Sequence, residues 1–559
     1  MLRTFHSAAK AGRACFHIGS SFRSIPHCLF AGLALSALIA LNPPKSFSQA
    51  KARSDSTQSP PSQLAYRDGV AWVRQGHLDE AIRAFDSGLQ SNPRDVKLLD
   101  AAGAARSFRG DLEGAKKRFL AALEVDPNFG PARKNLAITY FALGQYDLAA
   151  AEFSKLSASH AAPVPVIDLF LGMIAEKKGD DAKALLLLRG AGPVRDQYPE
   201  ALLSLASAAL RLKRSHEAAA ALHTLDHASN LTAEQSFKAG ELYSQLGDDR
   251  GALAAFERAR AKDAGLAKVD YQRAVLLDRL ERPKEALALL KESTAGNPDS
   301  DSLNLLAHVA EKTGDLDVAI QSLRQAAKLN PLQEENYLDF STMCADYGNY
   351  ALALEGAEVG LDHLPNSYRL LVQKGVVLQS LGRLEESQEA LKRASTLQAD
   401  NSVALLSLAI VEADSGQWGN AENTLSAAIH SFPGNYYMRY ELGKVLIHLD
   451  EGNQPDVGRK AKAELAFRKA IGLNPSFPDA YYQLAKLLLR DSPAEAEQNL
   501  TKCLRLDPNH APAQYTLARL YVTTGRRAAG QALIDRFESQ QQAAKLKEQK
   551  KPRIEAVER

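Results

Sequence analysis

The stretch AWVRQGHLDEAIRAFDSGLQSNP, residues 71–93, sets a pattern that recurs along nearly the whole chain. Its closing residue, Pro93, follows Phe85 by 8 residues, and Pro127, which lies 34 residues further on, follows Phe119 by the same distance. A fixed period of this length is typical of stacked helix–turn–helix units. Each such unit buries its apolar face only against its neighbours, so the whole array forms one elongated fold.

The repeat becomes clear when each unit is numbered so that its proline is position 32. Positions 8 and 20 then carry small residues, which lets the two helices of a unit pack closely, and position 24 carries Phe or Leu. Pro at position 32 ends the second helix, because the residue before a proline is steered out of the α region. Position 8 is Gly69, Gly103, Ala137, Gly172, Ala206, Gly240, Ala274, Ala307, Ser341, Gly375, Ala409, Gly443, Ala485 and Ala518. Position 15, where the first helix must end, is often glycine: Gly76, Gly110, Gly144, Gly179, Gly247, Gly314, Gly348, Gly382, Gly416 and Gly525.

This combination of positions resembles the tetratricopeptide repeat, TPR. Residues 71–93 and the stretch ELYSQLGDDRGALAAFERA, residues 241–259, look like ordinary members of that family. The resemblance runs over residues 62–536 and implies an all-α, right-handed superhelical solenoid of about 13–14 helix-turn-helix repeats. The twelfth unit departs from the pattern, with about eight extra residues, Glu451–Gly458, between its helices.

The two ends of the chain differ from the repeats. Residues 1–50 contain three arginines, then an apolar run over residues 28–41, and they end at Ala50, a pattern that predicts a cleaved secretory signal peptide. The apolar run is shorter than the roughly 20 residues that span a membrane. The alternative is that residues 28–41 stay as an inner-membrane anchor. Residues 51–61 are predicted to form a flexible linker, and residues 537–559 a polar C-terminal tail.

Charge and motifs argue against several functions. The formal net charge is +2, but outside residues 1–50 there are 63 basic and 66 acidic side chains, which gives no indication of nucleic-acid binding. The sequence contains no phosphate-binding loop, no zinc-protease motif and no nucleophile elbow. His223 and His227 have metal-ligand spacing but no third ligand nearby in the sequence, and Cys344 and Cys503 fit buried apolar positions better than a disulfide. We therefore predict no enzyme activity, no cofactor and no metal.

A ligand surface can be read from the resemblance, which implies that positions 2, 5, 9 and 12 of each first helix line a concave groove. In units nine to eleven, positions 5 and 9 are mostly apolar. In units twelve to fourteen they become Tyr and a cation, and the i, i+4 spacing puts each Tyr and its cation on one face. Lys and Arg favour carboxylates, and Tyr offers rigid contact area. The candidate residues are Leu338, Val372, Val376, Leu406 and Ile410 in the apolar part, and Tyr440, Lys444, Tyr482, Lys486, Tyr515 and Arg519 in the basic part.

Two functions follow as hypotheses. The first is a non-catalytic scaffold or adaptor in the bacterial cell envelope, periplasmic or secreted, that binds a protein or peptide partner in the groove. The alternative is a periplasmic array that binds an acidic polysaccharide during its export or assembly. The carboxylate clamp of TPR domains that bind chaperone tails is absent, because unit three has Lys134 at position 5 but Ile138 at position 9.

Overall fold

The computed structural model of the protein describes residues 61–159, 163–228, 231–263, 265–266, 268–296, 298–450 and 457–549. Within these residues it contains 28 α-helices, one 3₁₀ helix and no β-strand. The predicted signal peptide lies outside the described residues, as does the predicted linker except for Pro61. None of the described helices is long and apolar enough to cross a membrane.

The chain divides into two compact units, of which one ends at Ala286 and the other begins at Leu287. The first unit contains α1 (Pro61–Arg74), α2 (Leu78–Ser91), α3 (Val96–Arg109), α4 (Leu112–Val125), α5 (Gly130–Ala142), α6 (Tyr146–Ala158), α7 (Val164–Lys177), α8 (Asp181–Gly190), α9 (Pro199–Arg211), α10 (Ser215–Asp226), α11 (Ala233–Leu246), α12 (Asp249–Lys262) and α13 (Val269–Arg279), with the 3₁₀ helix at Gly192–Gln197.

The division between the units falls within α14 (Pro283–Thr294). The second unit then contains α15 (Ser300–Thr313), α16 (Leu316–Leu329), α17 (Glu334–Asp346), α18 (Tyr350–His363), α19 (Tyr368–Ser380), α20 (Leu384–Leu397), α21 (Ser402–Asp414), α22 (Trp418–Ser431), α23 (Tyr436–Asp450), α24 (Val457–Leu473), α25 (Pro478–Leu488), α26 (Pro493–Leu506), α27 (Ala511–Thr523) and α28 (Arg527–Gln549).

The helices alternate as the repeat predicts. Apart from α13 and α14, each odd-numbered helix packs against the even-numbered helix that follows it, and most first helices also contact the first helix of the next pair. We number the fourteen pairs in chain order as hairpins 1–14. The predicted all-α array of helix–turn–helix repeats is thereby confirmed. Helix α24 begins at Val457, so part of the extra segment predicted between the helices of hairpin 12 is helical.

The close approach of the two helices in a hairpin explains the small residues at position 8. A Cβ atom on Gly69 would lie 2.4 Å from Cε1 of Phe85, and one on Gly375 would lie 2.5 Å from Cγ of Leu391. The side chains of Phe85 and Leu391 are completely buried. Positions 8 and 24 therefore fit one another, and neither can grow without displacing the other.

Serine replaces glycine or alanine at two of the small positions, and its hydroxyl is used. Ser341, at position 8, donates a hydrogen bond to the carbonyl oxygen of Ala353, 2.7 Å away on the second helix. Ser387, at position 20, donates in the opposite direction to the carbonyl oxygen of Gly375, at 2.6 Å. Both serines are fully buried, so the hydrogen bond offsets the cost of burying each hydroxyl.

The turn between the two helices of a hairpin requires a left-handed backbone. All ten glycines predicted to end a first helix have positive φ angles, from 71° at Gly144 to 89° at Gly110. Four hairpins lack this glycine, and in two of them Lys213 and Glu281 adopt φ angles of 58° and 57°. These two side chains carry the steric cost that glycine avoids.

The remaining predictions about single residues can also be placed. Cys344 and Cys503 are both buried and unpaired, as expected for small apolar residues. The rings of His223 and His227 contact each other at 4.9 Å, and no group of three potential metal ligands occurs among the described residues. Helix α28 runs without a break across residues 536 and 537, where the sequence suggested a boundary.

Candidate ligand-binding surface

Three cations occupy equivalent places on three successive first helices. Lys444 lies on α23, Lys486 on α25 and Arg519 on α27, always at position 9 of the repeat, and all three are exposed. We call Lys444, Lys486 and Arg519 the basic row. The three cations differ in their ion pairs and ring contacts, which the sequence did not reveal.

Lys444 is the most strongly held of the three. Its Nζ lies 2.8 Å from Oε2 of Glu441, one turn earlier on the same helix, and 5.4 Å from the ring centre of Tyr440. The side chain of Glu441 is only 7% exposed, so this ion pair is partly shielded from water. A ligand carboxylate at Lys444 would have to compete with Glu441.

The ring of Tyr440 belongs to the core. It is 7% exposed and lies 5.0 Å from Phe477, 5.5 Å from Tyr437 and 6.1 Å from Phe467, measured between ring centres. Burial, and then the nearby Asp479 carboxylate, raises the pKa of the Tyr440 hydroxyl above its ordinary value. Tyr440 therefore joins hairpin 12 to hairpin 13 and offers little surface to a ligand.

Tyr482 is half-buried, and its ring lies 5.0 Å from that of His510 on the next hairpin. His510 is itself fixed from two sides: its Nε2 donates to Oδ1 of Asp479 at 3.1 Å, and its Nδ1 accepts from the backbone N–H of Ala513. Tyr482 thus has a defined position with part of its ring accessible. Lys486, one turn further along α25, forms no ion pair with any described residue.

Tyr515 is the most open of the three tyrosines, with 48% of its surface exposed. The Arg519 guanidinium lies 5.9 Å from its ring centre, within the range of a cation–π contact, and Phe537 on α28 lies 6.0 Å from it on another side. Within the part of the chain that the structure describes, no carboxylate pairs with Arg519. Arg519 and Lys486 are therefore the two cations of the basic row without a protein counter-charge.

The predicted apolar residues divide by burial. Leu338 and Leu406, at position 5, are 8% and 3% exposed and belong to the core, whereas Val372, also at position 5, and Val376 and Ile410, at position 9, are half-buried. The three half-buried residues lie on the first helices of two successive hairpins, and these helices contact each other. The sequence did not distinguish the two groups, because burial at position 5 depends on the neighbouring hairpin.

Comparison with known proteins agrees with the repeat structure. Family models described as tetratricopeptide repeat match residues 109–166, 271–334, 368–401, 406–453 and 490–548. The chain is a multi-repeat TPR protein. The matched stretches lie in both compact units and include the helices that carry Lys444 and Arg519, but not the helix that carries Lys486.

Several curated proteins resemble parts of this TPR protein. Cellulose synthase 2 operon protein C of Komagataeibacter xylinus is 25% identical over 248 residues, 41% of this chain and 19% of that protein. The peroxisomal targeting signal receptor of Saccharomyces cerevisiae is 30% identical over 105 residues, 19% of this chain and 17% of the receptor. The probable peptide N-acetylglucosaminyltransferase SPINDLY of Hordeum vulgare is 28% identical over 94 residues, 16% of this chain and 10% of the enzyme. This TPR protein thus spans less than a fifth of each relative.

Among solved structures, yeast Tom70 aligns with 87% of this chain and 95% of its own, at 17% identity and a TM-score of 0.37.

Proposed function

We propose that this TPR protein is a non-catalytic scaffold of the bacterial cell envelope, which binds a protein partner along the first helices of hairpins 9–14. Its membership of the TPR family supports protein binding as the task. The envelope location rests on the pattern of residues 1–50, which predicts export.

The observation that carries the proposal is that Lys486 and Arg519 form no ion pair with any described residue, while half-buried apolar residues, Val376 and Ile410, lie on first helices earlier in the same compact unit. An extended segment with apolar side chains followed by carboxylates would match both parts. Charge-assisted hydrogen bonds to carboxylates are about twice as strong as neutral ones. The ligand would therefore be held mainly at hairpins 13 and 14, with Lys444 contributing less because Glu441 already neutralises it.

The test is a crosslinking pull-down with residues 51–559 from the envelope of the host, using a Lys486→Ala/Arg519→Ala double variant. Lys502→Ala/Arg505→Ala is the matched control, because those two cations are exposed on the second helix of hairpin 13. We expect a discrete partner that the double variant loses and the control keeps. Lys444→Ala should weaken capture of the partner less than Lys486→Ala alone or Arg519→Ala alone. Equal capture by all variants would show that the basic row does not bind the partner.

A second candidate is an array that binds an acidic polysaccharide. It is favoured by the similarity to a protein named for a cellulose synthase operon, and by the exposed ring of Tyr515, which a sugar could stack on. Competition separates the two functions. Release of the bound partner by acidic peptides supports the protein scaffold, whereas retention of polysaccharide without a protein partner, and its release by acidic glycans, supports the array.

A further inference from the structure

A second group of charged residues lies in the first compact unit, far along the sequence from the basic row. Tyr66 on α1, Asp100 on α3 and Lys134 on α5 all occupy position 5, on first helices that contact each other in succession. All three side chains are half-buried. Next to them, Ala104 and Ile138 are buried at position 9, so the surroundings are largely apolar.

The Lys134 ammonium group has no ion-pair partner among the described residues. It forms neither a hydrogen bond nor an ion pair with any residue that the structure describes. Burial lowers the pKa of its ammonium group, and the Asp100 carboxyl opposes that effect without lying close enough to form an ion pair. A partly desolvated ammonium group without a partner is unfavourable, and a bound anion would relieve that cost.

The Asp100 carboxyl group also has only part of its hydrogen-bonding capacity satisfied. Its Oδ1 accepts a hydrogen bond from Nδ2 of Asn135 at 2.9 Å, and no other donor contacts the carboxyl among the described residues. Burial raises its pKa to about 6, although Asn135 and Lys134 act in the opposite direction. Asp100 therefore changes between a repelling carboxylate and a neutral O–H donor within a narrow range of pH.

We infer that Lys134 and Asp100 form a second anion-binding site, for a carboxylate of an acidic peptide, that binds more tightly as the pH falls. The ligand carboxylate would pair with the Lys134 ammonium group and accept a hydrogen bond from protonated Asp100. Ionised Asp100 would repel it. This site does not involve the basic row, which lies in the other compact unit and has no carboxyl at the equivalent position.

Other ionisable groups lie around this site. Arg106 pairs with Asp86 at 2.5 Å and Arg133 with Glu152 at 2.7 Å, so these four contribute little net charge. The remaining ionisable groups on α3 and on the helices packed against α3 and α5 include Tyr66, Lys97 and Lys155, and Asp95 caps the start of α3. Burial raises the pKa of Tyr66, which stays neutral throughout the range in question. Burial also raises the pKa of Asp168, which lies on the next first helix, α7.

The test uses rhodamine-labelled octaaspartate and fluorescence anisotropy at pH 5.5 and 7.5, in a chain that carries Lys486→Ala and Arg519→Ala to remove the other anion-binding surface. With a pKa of about 6, Asp100 is about 75% protonated at pH 5.5 and about 3% at pH 7.5. We therefore expect an affinity at pH 5.5 that is higher by roughly 5-fold to 25-fold.

Three variants decide the assignment. Lys134→Met should abolish binding at both pH values, whereas Lys97→Met, at an exposed lysine on α3, should leave it unchanged. Asp100→Asn keeps a donor and an acceptor but cannot ionise, so it should bind at both pH values with equal affinity. Equal binding by the two lysine variants, or an unchanged pH dependence in Asp100→Asn, would overturn the inference.

A measurement on native Lys134 tests the site even if the variants misfold. In the protein with native Lys134, octaaspartate should slow acetylation of Lys134 at pH 5.5, as read by peptide mass spectrometry, and leave Lys97 unaffected. Unchanged acetylation of Lys134 would contradict the site. Protection by acetate alone would show that a single free carboxylate suffices, and protection by octaaspartate only would show that a peptide is required.

Discussion

The fit between position 8 and position 24 leads to a quantitative prediction for Gly375→Ala. The new Cβ would lie 2.5 Å from Cγ, 2.8 Å from Cδ2 and 3.2 Å from Cδ1 of Leu391. Leu391 is fully buried between the helices, so its side chain cannot move out into solvent. Overpacking of this kind costs about 1–3 kcal/mol, whereas the change from Gly to Ala by itself favours a helix by up to about 1 kcal/mol.

Gly419→Ala provides the control, because Gly419 is also helical and lies in the same compact unit, but a Cβ there would meet nothing within 4 Å. We expect Gly375→Ala to be less stable than Gly419→Ala by about 1–3 kcal/mol in urea unfolding followed by far-UV circular dichroism. The loss should appear in only part of the unfolding transition, because repeats stabilise mainly their neighbours.

A double-mutant cycle then identifies the contact itself. Leu391→Ala alone should cost about 2–5 kcal/mol, because it leaves a cavity in the core. Combined with Gly375→Ala, the total loss should be smaller than the sum by about 1–2 kcal/mol, since the overlap has been removed. If Gly375→Ala is as stable as Gly419→Ala, or the two changes are additive, the assumed packing of positions 8 and 24 is wrong.

Three further predictions concern single residues. Because the pKa of Asp100 is raised in the folded state, its ionisation opposes folding above about pH 6, and this penalty disappears as the pH falls below about 4. Asp100→Asn should therefore stabilise the protein at pH 7.5 by roughly 1–3 kcal/mol and have little effect at pH 4. Lys213→Gly should stabilise by about 0.5–1 kcal/mol in thermal unfolding, because glycine adopts the positive φ angle without steric cost. Tyr440→Ala should cost about 3–5 kcal/mol, whereas Tyr515→Ala should change stability by less than about 1 kcal/mol, since only the first ring is buried.

Each of these has a control. Glu124→Gln removes an exposed carboxylate from the helix next to Asp100, and its effect should not depend on pH. Gly247→Lys is the reverse of Lys213→Gly at an equivalent turn, where φ is 84°, and it should destabilise the protein. Similar losses for Tyr440→Ala and Tyr515→Ala would show that Tyr440 is less tightly packed than its contacts indicate.

The repeat pattern predicted the helices with good precision, because their ends depend on local chemistry. The glycines at position 15 end the first helices with a left-handed residue, and the Asn-Pro and Asp-Pro pairs follow the second helices, so both signals act within a few residues of the chain. The pattern did not distinguish buried from exposed side chains at the candidate surface, for a physical reason. Tyr440 and Tyr515 occupy the same position of the repeat, yet the first is enclosed by Phe467 and Phe477 and the second is open.

The sequence by itself determined the all-α repeat, the number of hairpins and the residues that must be small, because these are set by backbone geometry and by a period that every unit shares. It also indicated which positions could face a ligand. Only the tertiary structure decided which of those side chains are available, since that depends on residues from neighbouring hairpins. Lys444 pairs with Glu441 on its own helix, whereas Lys486, Arg519 and Lys134 form no ion pair with any described residue. The burial of Tyr440 arises from contacts between hairpins, where each hairpin differs from the next, and a repeat pattern records only what the hairpins have in common.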